Sequence, residues 1–194
     1  MVQTPGIFTV FFLAYFPVYS YFSLSIPRPW CKGPKTVALF VGEFEQTVDA
    51  KHRLAINAAL REQIVPEEDG KNFILTMGPD RHLWLYPDLY YRRLVASLKR
   101  SPFPDRQSRK IDLLFAMARL LKPDSQGRVV LPEKSMQRGV VGEQVTLVGQ
   151  FDHIEIWPSE EWEKHVAETL PGYGEALYEA GDRLKSEQGD QKEP

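Results

Sequence analysis

The chain has 194 residues, of which 43% are hydrophobic and 26% charged, as expected for a globular protein of one or two domains with its own core. Its single cysteine, Cys31, excludes an internal disulfide bond and a zinc site made of cysteines. Residues 152–194 carry 12 acidic and 4 basic residues, whereas residues 1–151 carry 14 acidic and 20 basic residues, so the net charge of −2 does not exclude a phosphate-binding function.

Residues 1–36 form an N-terminal extension whose composition differs from the rest of the chain. Residues 6–26 have no charge and many aromatic side chains. We interpret the extension as a start-site error, with the true start near Val37. The alternative is a membrane anchor followed by a basic flank. A cleaved signal peptide is disfavoured, because no basic residue precedes the apolar run and no small-residue cleavage site ends it.

Residues 43–90 are predicted to form a unit of short strands and helices. An alternating pattern over residues 44–48 predicts a strand that enters a tight turn. A second short strand leads into a helix of about two turns, for which Asn57 offers an N-cap. A hairpin follows, and Pro87 ends its second strand.

Three further segments follow this unit. Residues 91–116 are predicted to be a linker with a helix, and the helical pattern itself extends over residues 105–121. Residues 117–160 repeat the strand and helix pattern of the first unit. Residues 161–194 are predicted to form a C-terminal helix and a solvated acidic tail.

Residues 43–90 and 117–160 are two copies of one unit, named here copy one and copy two. At an offset of 75, Asp49 and Arg53 align with Asp124 and Arg128, and residues 82–95 match residues 153–166 at an offset of 71. A unit this small has too few strands to bury both of its faces. We therefore predict an α+β fold in which the two copies pack as an internal pseudo-dimer and exchange strands around a local two-fold axis.

The Asp-x-x-x-Arg pattern is the candidate binding motif. It occurs four times, and two occurrences, including Asp88 and Arg92, lie in helical patterns where this spacing gives a surface ion pair. In a turn between strands, the acid can accept backbone N–H groups and hold the arginine outward for a phosphate or a guanine edge. The alternative is an ion pair that only staples the turn. The two occurrences that lie between strands are Asp49/Arg53 and Asp124/Arg128.

Together these motifs resemble the MraZ family of bacterial transcriptional regulators, part of the AbrB/SpoVT swapped-hairpin DNA-binding group. The resemblance covers about residues 39–166 and is carried by GEFEQTVDAKHRLAI, DSQGRVVLP, LWLYP and IEIWP. It implies two tandem SpoVT-AbrB units that form a double swapped-hairpin β-barrel with flanking helices. It also implies a sequence-specific DNA-binding protein of the cytoplasm and nucleoid. Such a protein would form ring-like homo-oligomers and bind short direct repeats upstream of its own division and cell-wall gene cluster.

The expected partners are therefore double-stranded DNA and further copies of the chain. We predict no cofactor, no metal, no small-molecule substrate and no membrane partner. Basic residues cluster in or beside the two turns, among them Arg61, Lys122, Lys134 and Arg138. The candidate DNA-binding residues are Asp49, Lys51, Arg53, Asp124 and Arg128.

Copy one departs from the family pattern at two positions. His52 stands where the family favours glycine, which copy two has as Gly127. Asn57 stands where the family has proline, which copy two has as Pro132. If the first position needs a positive φ, histidine adopts it with some strain. We therefore expect a looser turn and a weaker DNA contact in copy one.

Two other kinds of function compete with DNA binding. For an enzyme, the equivalent residues His82 and His153 would be the candidates, but we interpret both as solvated turn residues. The chain has no nucleophile motif and no glycine-rich phosphate loop, so we predict that it is not an enzyme. The second alternative is a ring-forming structural or interaction protein without specific DNA binding.

The aromatic residues of the two hairpins allow two interpretations. Trp84, Tyr86, Trp157 and Trp162 could form a platform on which bases stack. Their positions in strands and on a helix face favour packing in the core instead.

Overall fold

The computed structural model describes residues 38–97 and 108–189, together with the side chains of all of these except 108–111 and 184–189. Residues 1–36, with their alternative interpretations, lie outside this part of the chain. Copy one contains β1 (Glu43–Thr47), β2 (Arg53–Ala55), α1 (Ala58–Arg61), β3 (Phe73–Met77), β4 (Leu83–Pro87) and the start of α2 (Asp88–Ala96). Helix α3 (Ser108–Met117) precedes copy two. Copy two and the C-terminal region contain β5 (Arg119–Leu121), β6 (Arg128–Val130), α4 (Glu133–Gly139), β7 (Gln144–Gln150), β8 (His153–Pro158), α5 (Ser159–Thr169), a 3₁₀ turn (Leu170–Gly172) and α6 (Tyr173–Gly189).

A six-stranded antiparallel sheet combines the two copies in the order β1-β7-β8-β4-β3-β5. The first strand of each copy pairs with the hairpin of the other, so β1 lies beside β7 and β5 lies beside β3. The two hairpins meet at the centre through β4 and β8, where Leu83 is opposite Ile156 and Leu85 is opposite Ile154. The predicted exchange of strands between copies is present.

A second, two-stranded sheet pairs β2 of copy one with β6 of copy two. Its central residues, Leu54 and Val129, are fully buried. Each strand is extended by one cross-copy hydrogen bond, from Ile56 N–H to the Gly127 carbonyl and from Leu131 N–H to the His52 carbonyl. Fully burying a leucine or valine side chain stabilises a fold by about 1.5–3 kcal/mol, so this small sheet is anchored by its inner face.

Local signals explain where several elements begin and end. The Asn57 side chain accepts a hydrogen bond from Ala59 N–H and caps α1, as predicted. Pro87 and Pro158 are the last residues of β4 and β8, and a helix follows each directly. A helix of about two turns is predicted in each copy. Helix α4 has this length with 7 residues, whereas α1 is shorter, with 4 residues.

The predicted helix over residues 105–121 is too long. Helix α3 ends at Met117, and Arg119–Leu121 form β5. The apolar residues have helical spacing, but Leu121 pairs with Phe73 of β3, and both side chains are buried. The cross-copy pairing overrides the local helical pattern, because β5 is the counterpart of β1 in the strand exchange.

The fold is α+β, with a large antiparallel sheet and helices around it. The pairing order runs from β1 to β5, and closure of this sheet into a barrel stays a prediction. Within residues 38–97 and 108–189, no helix combines the length and the apolar character needed to cross a bilayer.

His82 and His153 are not solvated turn residues, contrary to the expectation from sequence. The His82 ring is buried and stacks on Trp157, with ring centroids 3.6 Å apart. The His153 ring lies 4.3 Å from the Trp84 ring and 4.9 Å from the Tyr86 ring. Both histidines are covered by aromatic side chains of the neighbouring strand, because β4, which His82 directly precedes, pairs with β8. Tyr86 and Trp157 are buried, as core packing requires, whereas Trp84 and Trp162 are partly covered.

A chain of polar contacts surrounds His153. Its two ring nitrogens lie 2.7 Å from Asp152 Oδ1 and 3.3 Å from Glu155 Oε1. Trp157 donates to the buried Glu155, and Tyr90 donates to Asp152. Burial lowers the pKa of His153, but the two carboxylates outweigh burial and raise this pKa above its ordinary value. The charged imidazolium is therefore favoured in the folded state.

We expect the contribution of His153 to stability to depend on pH. Because its pKa is raised on folding, the contribution is full below pH about 6.5 and is lost as the pH rises through the folded-state pKa. The difference in Tm between the wild type and His153→Gln should therefore shrink between pH 6 and pH 9. Thermal denaturation followed by circular dichroism measures this, and a difference that stays constant across the range would contradict it.

Candidate nucleic-acid interface

The first turn, residues 49–53, is organised by the Asp49 carboxylate. One oxygen, Oδ1, accepts hydrogen bonds from Lys51 N–H at 2.8 Å and from Arg53 N–H at 2.9 Å. The other, Oδ2, accepts from Arg53 Nε at 2.6 Å. The backbone closes the turn as well, because Asp49 N–H donates to the Arg53 carbonyl. The acid therefore fixes both the turn and the guanidinium group.

The second turn, residues 124–128, repeats these contacts atom for atom. Asp124 Oδ1 accepts from Gln126 N–H at 2.9 Å and from Arg128 N–H at 3.0 Å. Asp124 Oδ2 accepts from Arg128 Nε and lies 2.8 Å from its terminal Nη2. The side chains of Arg53 and Arg128 keep 35% and 31% of their surface exposed, so both guanidinium groups remain accessible.

These hydrogen bonds lower the pKa of both acids. The backbone N–H of Arg128, and then its side chain, lower the pKa of Asp124 to about 2. The backbone N–H of Arg53 is the largest cause of a lowered pKa at Asp49. Each acid therefore remains an acceptor for its arginine throughout the neutral range.

Both arginines project from the same face of the two-stranded sheet. Arg53 is opposite Val130, and Arg128 is opposite Ala55. Because directly opposite residues share a face, these four side chains lie on one side, and the buried Leu54 and Val129 lie on the other. Arg53 and Arg128 are diagonal neighbours, a relation that separates backbone positions by about 7–8 Å. Cross-copy pairing thus joins two motifs that lie 75 residues apart.

The residue before each arginine has a positive φ, the conformation that glycine favours. His52 has φ +58°, and Gly127 has φ +76°. This left-handed conformation is open to glycine and costs histidine some strain. His52 nevertheless preserves every hydrogen bond of the turn that Gly127 allows in copy two.

The remaining sequence candidates occupy different places. Lys51 is exposed within the first turn, where copy two has Gln126. Lys122 and Lys134 are exposed, and the Arg138 carbonyl accepts hydrogen bonds from Arg81. Arg61 follows the first turn in sequence but lies beside the second in space. The sequence carried a signal for this asymmetry, because the equivalent residue in copy two is Met136.

Comparison with known protein families agrees with the duplicated architecture. The family described as MraZ protein matches residues 39–113 and again residues 114–171. Each match contains one of the two turns, so the repeat found in the sequence is the repeat of the family.

Curated relatives cover most of the chain. A protein of Herpetosiphon aurantiacus is 38% identical over 126 residues, which is 64% of this chain and 85% of the relative. A protein of Clostridium tetani is 33% identical over 66% of this chain and 87% of the relative. A protein of Carboxydothermus hydrogenoformans is 33% identical over 75% of this chain and 99% of the relative. All three are named transcriptional regulator MraZ, which agrees with the prediction that the chain is not an enzyme. The chain belongs to the MraZ family.

Proposed function

We propose that the chain is a sequence-specific transcriptional regulator that binds double-stranded DNA in the cytoplasm, at the nucleoid. Its sites are short direct repeats in the promoter of its own division and cell-wall gene cluster. Residues 43–90 and 117–160 act as two SpoVT-AbrB units of one swapped-hairpin barrel. They are joined by residues 91–116 and followed by the helix and acidic tail of residues 161–194. The contacts are made by Asp49, Lys51, Arg53, Asp124 and Arg128.

The observation that carries the proposal is that Arg53 and Arg128, each held by a carboxylate, lie on the outer face of the two-stranded sheet. A guanidinium group held by a carboxylate at Nε still presents other N–H donors, which match a phosphate or the O6 and N7 atoms of guanine. Both side chains keep about a third of their surface exposed, so both arginines can reach a ligand from the same side of the sheet. The names of the relatives support regulation of transcription.

A single chain offers too few contacts for tight binding at physiological salt, because each neutralised phosphate contributes modestly. A homo-oligomeric ring that presents several turn pairs to repeated DNA sites would raise the effective concentration and hence the affinity. Exposed apolar side chains on α2 and α3, including Leu89 and Leu113, are available for contacts between the chains of an oligomer. A ring without DNA binding is the competing function, and salt dependence separates the two.

We expect binding to the DNA upstream of the native gene to weaken steeply with salt. If Lys51, Arg53 and Arg128 each neutralise a phosphate or replace its counterion, the slope of log K against log [salt] should be about −2.7 or steeper for each bound chain. An electrophoretic titration at several salt concentrations measures this slope. A flat salt response, or equal affinity for shuffled DNA, would favour the purely structural function.

A further inference from the structure

Arg61 lies against the second turn although it belongs to copy one. A β-carbon added to Gly127 would come within 2.6 Å of Arg61 Nε and 2.7 Å of its Cζ. The guanidinium group therefore occupies the space that a side chain at residue 127 would need. Gly127 thus serves two purposes, since it allows a φ of +76° and also admits the arginine.

One hydrogen bond within copy one and one between the copies hold Arg61 in this position. Its Nε donates to the Ile56 carbonyl at 3.1 Å. The N–H of Ile56 donates in turn to the Gly127 carbonyl at 3.0 Å. The base of the guanidinium group is thus tied to the strand pair that carries the second turn, and this fixes the direction of its terminal nitrogens.

The terminal nitrogens of Arg61 are open to a ligand. The residue is exposed, and its Nε bond to the Ile56 carbonyl leaves both terminal N–H₂ groups as donors. Among the described acidic residues, none forms an ion pair with it. An exposed arginine that is held at Nε and lacks an acidic partner is suited to bind an anion from outside the chain.

The first turn has no counterpart to this arrangement. The residue equivalent to Arg61 is Met136, which packs partly on the core. The residue equivalent to Gly127 is His52, and both His52 and Met136 line an open cavity of about 440 Å³. Gly127 of copy two therefore has the cationic Arg61 of copy one beside it, whereas His52 of copy one shares a cavity with the neutral Met136 of copy two. The second turn thus has a hydrogen-bonded guanidinium group of the other copy beside it, whereas the additional cation of the first turn is its own Lys51.

We propose that Arg61 is a further DNA-binding residue, which contacts a backbone phosphate beside the site of Arg128. Arg61 belongs to copy one in sequence but lies beside the turn of copy two. A phosphate is the fitting ligand because the terminal nitrogens are exposed donors beside Gly127, which directly precedes Arg128 in the second turn. The inference rests on the proposed DNA-binding function and deepens it.

A double-mutant cycle tests the assignment with the full chain and the DNA upstream of the native gene. Arg61→Met introduces the residue type that copy two has at this position. It should lower affinity about tenfold near 0.1 M salt and make the salt slope less steep by about 0.9, as for one lost phosphate contact. In the Arg128→Ala background the Arg61→Met penalty should fall below about threefold, because Arg128 positions the DNA on the neighbouring contact and adjacent contacts are coupled. In the Arg53→Ala background it should remain about tenfold.

The outcomes separate this inference from the function on which it rests. Equal penalties in both backgrounds, or an unchanged salt slope for Arg61→Met, would overturn the role of Arg61 while leaving DNA binding by the turns intact. If Arg53→Ala and Arg128→Ala themselves had no effect, the proposed function would fail first. Arg61→Lys keeps the charge and should retain most of the slope. A loss as large as that of Arg61→Met, together with a lowered Tm, would show that Arg61 only supports the fold.

Discussion

Arg128→Ala should weaken binding to the DNA upstream of the native gene by at least tenfold. Each lost arginine contact is worth about 1–3 kcal/mol, and every chain of the oligomer loses one such contact. The Arg128 side chain is half-buried on the outer face of the two-stranded sheet, away from Leu54 and Val129, so its removal should leave the core unchanged. Arg53→Ala should act in the same direction with a smaller effect, because the first turn contains a strained histidine and has no counterpart of Arg61. Electrophoretic titration of each variant measures these changes.

The matched control for these variants is Arg92→Ala. Arg92 completes the same Asp-x-x-x-Arg pattern, but it lies exposed on helix α2 instead of in a turn between strands. Its removal should change DNA affinity little. Gel filtration should show that all three variants keep the wild-type oligomeric state. If Arg92→Ala and Arg128→Ala weakened binding equally, the effect would come from general charge and the turn would have no special role.

Asp124→Asn should lower specific affinity although it removes a negative charge. The asparagine Oδ1 can still accept hydrogen bonds from the backbone of Gln126 and Arg128. The amide nitrogen that replaces Oδ2 is a donor, however, so Arg128 Nε loses its acceptor. We expect binding to the native DNA to fall about threefold to tenfold, and binding to shuffled DNA to stay equal or rise slightly. Titration against both DNA molecules separates these effects.

The pKa of Asp124 makes this prediction independent of pH in ordinary buffers. Because the folded-state pKa is about 2 and lies below the ordinary value, the acceptor role is complete above pH about 4 and is lost only as the pH falls toward 2. Glu168→Gln is the control, since it removes one acid from the exposed Lys164–Glu168 pair of the same i,i+4 spacing on helix α5. If both variants raised affinity for native DNA, Arg128 would act through charge alone.

The repeat carried most of the information that the sequence offered about the fold. The equivalence of Asp49 with Asp124 and the strand pattern around each were sufficient to predict an internal pseudo-dimer, because a single copy cannot cover its own sheet. The short strand β5 was missed, since Arg119–Leu121 continue a helical pattern and become a strand only by pairing with β3 of copy one. The local sequence of residues 119–121 gives no information about this pairing partner.

The site was predictable at the level of motif and unpredictable at the level of cross-copy contacts. The sequence paired each acid with its arginine, and the hydrogen bonds within both turns have that arrangement. It did not show that Arg53 and Arg128 share a face, which depends on the register of β2 and β6. For the same reason, His153 was misplaced, and the cross-copy position of Arg61 beside the second turn was not predicted. Their environments are made by residues of the other copy or of a neighbouring strand, among them Gly127 and Trp84.

The most direct test of paired recognition is a comparison of affinity for native upstream DNA with affinity for a shuffled duplex of the same length and composition. The comparison uses the wild type and the double variant Arg53→Ala/Arg128→Ala at one salt concentration. The wild type should bind the native DNA about 10³-fold more tightly or better, and the double variant should bind both duplexes nearly equally. A double variant that kept the wild-type preference would contradict recognition through the two turns.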